Sequence, residues 1–263
     1  MKTVSQYEEL APLISAQFRR GVRTNAFFSR QELEGLIARE ELSVQETGAG
    51  LLLLVERPWF DRLHFYLNDL SAPLGATLPD PTVTEVAFRP QDTGLREAVD
   101  YLRGQGFAPL LSRVRLSRPA GEAERPCPPQ YAGEEEERDT LALLWDSFPR
   151  LTGCLPSRKE WSEEVAAGRC LVERDRTGVA GLLHFSLDRR GGEIRHLAVR
   201  PDARGCGLST RLVSAYLSAA GGAATSVWTG ADNLPALRAY AKLSFQPDGW
   251  ESIVLCNQEK RGS

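Results

Sequence analysis

Several kinds of protein are excluded by what this chain of 263 residues lacks. No apolar stretch approaches the ~20 residues that cross a bilayer. The opening, Met1-Lys2-Thr3-Val4-Ser5-Gln6-Tyr7-Glu8-Glu9, has no hydrophobic run of a secretory leader. The cysteines, Cys127, Cys154, Cys170, Cys206 and Cys256, are odd in number, scattered, and form no Cys-x-x-Cys. That pattern argues against a disulfide framework and a zinc site, so no metal is expected. Charge of one sign is missing too. The formal net charge is −3, which draws the chain toward neither nucleic acid nor an anionic membrane. Together these absences point to a cytoplasmic protein with no membrane and no nucleic-acid partner.

What remains is the composition of an ordinary globular protein, 42% hydrophobic and 25% charged, and the length suits two domains. Tyr7 to Arg20 reads as an amphipathic helix with Leu10, Leu13, Ile14, Ala16 and Phe18 inward. Ser29-Arg30-Gln31-Glu32 is a capping box opening a second helix, with Leu33, Leu36 and Ile37 as its apolar face. Leu51–Glu56, Leu63–Leu67, Thr82–Phe88 and Leu110–Leu116 read as strands, and Leu95–Arg103 as a helix closed by Gly104 and Gly106. Arg118 to Gly133, rich in proline, reads as a linker of which part can pair as a first strand of the second half. The acidic run Glu134–Glu137 suits a solvated helix start, with Leu141, Leu144, Trp145 and Phe148 buried behind it.

A repeat runs through the chain. Ser29-Arg30-Gln31-Glu32-Leu33 recurs as Ser157-Arg158-Lys159-Glu160-Trp161. Phe18-Arg19-Arg20 has a counterpart in Phe148-Pro149-Arg150, and Gly50-Leu51-Leu52-Leu53 in Gly181-Leu182-Leu183-His184. Tyr101 to Pro109 parallels Tyr240 to Pro247. Four pairs in one order indicate a duplicated fold. The copies differ in one stretch. In the second, Glu193 to Val199 reads as a strand, Arg204-Gly205-Cys206-Gly207 as a glycine turn, and Leu208, Leu212, Ala215 and Tyr216 as one face of a helix. A regular pleat puts Glu193, Arg195, Leu197 and Val199 on one side of that strand, with His196 opposite unless a bulge rotates it. A helix start behind glycines turns free N–H groups to one point and suits a phosphate or pyrophosphate. In the first copy Pro73 to Pro79 occupies this place, and its prolines make such a site improbable there.

The stretch Arg204-Gly205-Cys206-Gly207-Leu208-Ser209 resembles the acetyl-CoA pyrophosphate loop of the GNAT acetyltransferases, with Ser209 where that family has Gly or Ala. Downstream, Asn233, Ala236, Tyr240, Leu243 and Phe245 resemble the block that follows the fifth strand, with Ser244 in place of Gly. The resemblance covers Ser157 to Leu255 well and the first half faintly. It implies an α/β fold (α+β mixed sheet) of two tandem GNAT-like acyl-CoA N-acyltransferase domains. The expected boundaries are a degenerate domain at 1–118, a linker at 119–133, and an acetyl-CoA-binding domain at 134–263.

The implied activity is transfer of acetyl from acetyl-CoA, as cosubstrate, to a primary amine of a small molecule or peptide in a ternary complex. Such a transfer needs a base for the amine, a donor to the thioester oxygen and an acid for the thiolate. Glu193 lies where the histone-acetyltransferase branch keeps its glutamate and is the candidate base, with His196 as the alternate. Arg195 would lower its pKa or bind an anionic part of the substrate. Tyr240 is the candidate acid. The resemblance assigns the pantetheine arm to the backbone of Leu197, Ala198 and Val199. It assigns the rest of the cofactor to Arg204, Gly205, Cys206, Gly207, Leu208, Ser209, Thr210 and Asn233. Cys206 sits at a pyrophosphate position and is not read as a nucleophile. Acceptor specificity is expected around Phe148 to Trp161, and at Phe27, Trp59 and Phe60. A second reading is an acyl-CoA-binding sensor without turnover, which would need the glycine loop but neither Glu193 nor Tyr240. A third, an aminoacyl- or peptidyl-transferase, would have to accept tRNA, which the acidic balance does not support.

Overall fold

The computed structural model describes residues 1–121 and 127–257. The elements of the first sequence half are β1 (Lys2–Thr3), α1 (Tyr7–Gln17), β2 (Arg23–Thr24), α2 (Arg30–Ala38), β3 (Leu42–Thr47), β4 (Gly50–Glu56), β5 (Asp61–Leu67), β6 (Thr82–Phe88), α3 (Thr93–Gly104) and β7 (Ala108–Arg118). Those of the second are α4 (Glu137–Ser147), α5 (Arg158–Ala166), β8 (Cys170–Asp175), β9 (Gly178–Asp188), β10 (Gly191–Val199), α6 (Leu208–Ala219), β11 (Thr225–Gly230), α7 (Leu234–Ala241) and β12 (Gln246–Cys256). Both capping boxes form. Ser29 and Ser157 accept from the Glu32 and Glu160 amides at 3.2 Å, and the two glutamates accept in return from the serine amides at 2.7 and 2.8 Å. Each box satisfies two amides that a helix start would otherwise leave unpaired.

By contact the chain divides into two units, Met1–Ser112 with the segment from Trp250, and Arg113–Gly249. The division does not follow a single cut in the sequence. In the first unit β3, β4 and β5 form an antiparallel meander. β6 pairs parallel to β5, and β12, from the end of the chain, closes the order by pairing antiparallel to β6. In the second unit β8, β9 and β10 form the meander, β11 pairs parallel to β10, and β7, from the first half, pairs antiparallel to β11. The topology is therefore duplicated, and each copy takes its last strand from the other sequence half. Residues 122–126 of the expected linker, Pro126 among them, lie outside the described residues. After them, Gln130 and Ala132 pair with β8 through Val172 N–H to Gln130 O at 2.8 Å and Ala132 N–H to Cys170 O at 2.9 Å.

Alternation in β4 explains the core of the first unit. Leu52 and Leu54 join Phe65, Val86 and Leu102 under α3, while Leu51 and Leu53 join Leu10 and Leu33 under α1 and α2. A fully buried leucine contributes about 1.5–3 kcal/mol, so a stretch buried on both faces must be apolar throughout, as Leu51–Val55 of β4 is. In the second unit the α6 face of the sheet holds Leu183, Phe185, Ile194, Leu212, Tyr216 and Val227. Two expectations about α1 fail. It ends at Gln17, and Ala16 and Phe18 are exposed, the Phe18 ring resting edge-on to Tyr66 at 5.5 Å. Strand β3 was not foreseen, because Leu42-Ser43-Val44-Gln45 is short and its apolar alternation is interrupted by Glu46.

Candidate active site

The parallel pairing of β10 with β11 is brief. It covers Gly192 with Thr225, Glu193 with Ser226 and Ile194 with Val227. Beyond Ile194, β10 keeps its partner β9, through Leu197 with Leu183, Ala198 with Leu182 and Val199 with Gly181. On its other side β11 keeps β7, through Trp228 with Arg115 to Gly230 with Arg113. The edge of β10 at Leu197, Ala198 and Val199 is thus free of β11. Here Arg204 Nε donates to the Val199 carbonyl at 3.2 Å.

The chain then turns into α6. Gly205 has φ +82° and Gly207, the residue before the helix, has φ +75°. A Cβ built on either meets nothing within 4 Å, so the backbone dihedral demands glycine while the space above both stays open. Helices α2, α3, α5 and α7 each have a side chain on a first-turn amide, from Ser29, Asp92, Ser157 and Asn233. Helix α6 has none. Among the described residues, the amides of Gly205, Cys206, Gly207, Leu208, Ser209 and Thr210 donate to no protein group. Open donors at the positive end of a twelve-residue helix are of the kind that suits an anion.

The remaining expected residues fall on both faces of the sheet. Tyr240, on α7, is buried with Ile194, Val227 and Phe245, its ring edge-on to Phe245 at 5.4 Å. Burial pushes its hydroxyl well above the usual tyrosine range, so it stays protonated at neutral pH. Asn233 caps α7, accepting from the Ala236 amide at 3.2 Å. Glu193 lies on the opposite face from Ile194. The expected set Glu193, Arg195, Leu197 and Val199 is not one face, because the pairing slips between Ile194 and His196 and leaves Arg195 as an extra residue. Leu197 moves to the α6 side, where it packs with Leu183, and His196 joins the face of Glu193. Of the residues expected near an acceptor, Phe60 is buried in the first unit and Phe27 is exposed.

A feature that the sequence reading missed lies beside Glu193. His184 of β9 stands directly across from His196, and their Nδ1 atoms are 3.0 Å apart with the ring planes within 5°. His184 Nε2 faces Glu164 Oε2 of α5 at 3.0 Å, and His196 Nε2 faces the Gly153 carbonyl at 2.7 Å. Trp161 and Phe148 cover the rings edge-on, each at 5.1 Å. Burial lowers His196 to about 3, aided by His184, Arg195 and Arg113 and opposed by its bond to Gly153. Burial also lowers His184, against the pull of Glu164. At Glu164 burial acts upward, but the hydrogen bond and charge of His184, with Arg169 and Arg195, outweigh it and leave the carboxyl below its usual range. The sequence gives this cluster no signal, since the three residues are scattered over two strands and a helix.

Residues 134–245 match the family model described as Acetyltransferase (GNAT) family. No curated protein sequence matches the chain. Solved structures similar over most of the chain include a GCN5-related N-acetyltransferase from Sphaerobacter thermophilus, 13% identical with a TM-score of 0.58, covering 97% of this chain and 94% of that one. A GNAT-family acetyltransferase from Colwellia psychrerythraea is 11% identical at a TM-score of 0.57, covering 97% and 98%. A tandem GNAT protein from the clavulanic acid biosynthesis pathway is 15% identical at a TM-score of 0.58, covering 98% and 96%. Residues 134–245 thus carry a GNAT-family domain, and the fold of the whole chain is similar to that of two GNAT-like domains in tandem. Among the described residues no helix is long and apolar enough to cross a membrane.

Proposed function

We propose that the protein is an N-acetyltransferase, moving acetyl from acetyl-CoA directly to a primary amine of a small molecule or peptide. The observation that carries this reading is the run of six open amides from Gly205 to Thr210, at the end of a strand whose edge has just parted from its neighbour. The amides suit the pyrophosphate of acetyl-CoA. The free edge at Leu197 to Val199 suits a pantetheine arm lying as an added strand, its amides pairing with backbone groups. Glu193 takes the proton of the amine as its nitrogen attacks the thioester carbonyl carbon. The carbon–sulfur bond breaks, and Tyr240 gives its proton to the departing thiolate. Glu193 and Tyr240 lie on opposite faces of the sheet, one on β10 and the other on the helix that follows β11, the two strands that part beyond Ile194. Acetyl transfer where they part needs both side chains, which favours an enzyme over a sensor.

Calorimetry with acetyl-CoA tests the reading, comparing the wild type with Gly207→Glu. Binding by the wild type and its loss in the variant are expected, because a carboxylate there meets the pyrophosphate in the open space above Gly207. A folded wild type that does not bind acetyl-CoA would refute the proposal. A panel of amines and peptides, with Glu193→Gln and Tyr240→Phe, then identifies the acceptor and separates binding from turnover.

A further inference from the structure

The chain Glu164–His184–His196–Gly153 has a fixed proton count. The Gly153 carbonyl can only accept, so His196 Nε2 carries a hydrogen. The contact between the two Nδ1 atoms holds one hydrogen, and the contact between His184 and Glu164 holds another. Three hydrogen bonds require three protons. A carboxylate with two neutral imidazoles supplies two, and a carboxylate facing a lone pair at 3.0 Å would be repulsive. Completing all three bonds therefore takes one further proton between His184 and Glu164, held by their mutual hydrogen bond against the burial that lowers His184, and with it the cluster is neutral overall. A fourth proton would set two N–H groups, or N–H and O–H, against each other and break a link.

The first unit builds the same place without this chemistry. His64 of β5 pairs with Leu53 of β4, as His196 pairs with His184. Its Nδ1 lies 3.4 Å from the Asn25 carbonyl in the segment between α1 and α2, and Phe28 covers its ring edge-on at 4.5 Å. In the repeat, Leu53 stands where the second copy has His184, and Leu36, counted from the capping serine, where it has Glu164. Both leucines are buried, and β4 and β5 pair there without a register shift. An apolar pair thus suffices to pack this position. The polar pair occurs in the copy with the register shift, and the two histidines are the first cross-strand pair beyond it.

We propose that Glu164, His184 and His196 are positioning residues that pin the bulge at Arg195 and hold the segment at Gly153 against it, so fixing Glu193 on the face that the acceptor would approach. The cross-strand bond between the histidines resists a one-residue slip, and such a slip would turn Glu193 to the α6 face. The role of Glu193 rests on the acetyltransferase reading; the clamp itself does not. The charged groups around it are Arg195 on its own strand, Arg169 after α5, and Arg113 of β7.

The clamp can be tested on the protein alone, without acetyl-CoA, so its failure is distinct from failure of the acetyltransferase reading. Nitrogen-15 NMR of the imidazoles is expected to show His196 protonated at Nε2 and not titrating between pH 5 and 8. A His196 that titrates near its ordinary value, or carries its hydrogen on Nδ1 alone, would overturn the proposal. Glu164→Gln keeps every link, since its amide donates to a neutral His184. The double variant Glu164→Leu/His184→Leu copies the first unit and preserves apolar packing. Hydrogen exchange at Arg195 and His196, and alkylation of the exposed Cys154, are expected to quicken roughly tenfold or more in the double variant. They should stay within about twofold of wild type in Glu164→Gln, with Cys206 alkylation constant in both. Equal rates in all three proteins would show that the links position nothing.

Discussion

Gly192 offers a test of how the start of the splayed strands is packed. A Cβ built there lies 1.9 Å from the Tyr216 hydroxyl oxygen and 3.1 Å from Cζ, where ordinary contact begins at 3.4 Å. Tyr216 is fully buried in the α6-side core, so its ring cannot swing into solvent. Gly192→Ala should cost about 2–3 kcal/mol through overpacking. Tyr216→Phe should cost about 1 kcal/mol or less, since it removes only a 3.4 Å contact with Thr225 Oγ1. In the double variant the clashing oxygen is gone and the nearest atom is Cζ, a misfit that a few tenths of an ångström relieve. The double variant should therefore cost little more than Tyr216→Phe, a coupling of about 2 kcal/mol. Urea unfolding followed by tryptophan fluorescence measures the costs, with hydrogen exchange along β10 assigning them to the second unit. If the single costs add, the hydroxyl is not what requires glycine at this position, and the reasoning fails.

Other outcomes follow from the same structure. Glu40 is exposed at φ +59° after α2, and Gly168 holds the equivalent place after α5 at φ +66°. Glu40→Gly should raise stability by about 0.5–1 kcal/mol, seen as a higher melting temperature of the first unit. His64 is lowered from 6.5 to about 3, chiefly by burial. The unfolded chain therefore binds the proton that the folded chain refuses, and the stability from neutral His64 is present above about pH 6.5 and lost as pH falls toward 3. That loss should reach a slope of ~1.4 kcal/mol per pH unit, flattened in His64→Leu, by denaturation at several pH values. Tyr240→Phe should leave acetyl-CoA affinity within about twofold and lower turnover at least tenfold with the amine that the panel identifies. An unchanged turnover would remove Tyr240 from the chemistry.

The duplication was legible in the sequence because capping boxes and Gly-Leu-Leu runs are local patterns that reflect local physics. Ser29 and Ser157 cap as their spacing requires, and the apolar run Leu51–Val55 is a strand buried on both faces. The glycine loop was legible for the same reason, since positive φ selects glycine at 205 and 207. Two features were not. The bulge at Arg195 is a property of the pairing between β9 and β10, and nothing in Glu193 to Val199 by itself signals the extra residue. The expected faces of that strand were wrong beyond Ile194 as a result. The Glu164–His184–His196 cluster depends on that register, so it was hidden with it.

The exchange of final strands bears on what can be cut away. A fragment ending at residue 118 would lack β12 and leave the edge of β6 unpaired; it would also carry the residues of β7 that belong to β11. A fragment beginning after the linker would lack β7 and leave the edge of β11 open. Both would present a bare strand to solvent, the situation that drives edge-to-edge aggregation. Neither copy is thus a free-standing module that deletion could remove. With the strands traded, each copy depends on the other sequence half for the last strand of its sheet.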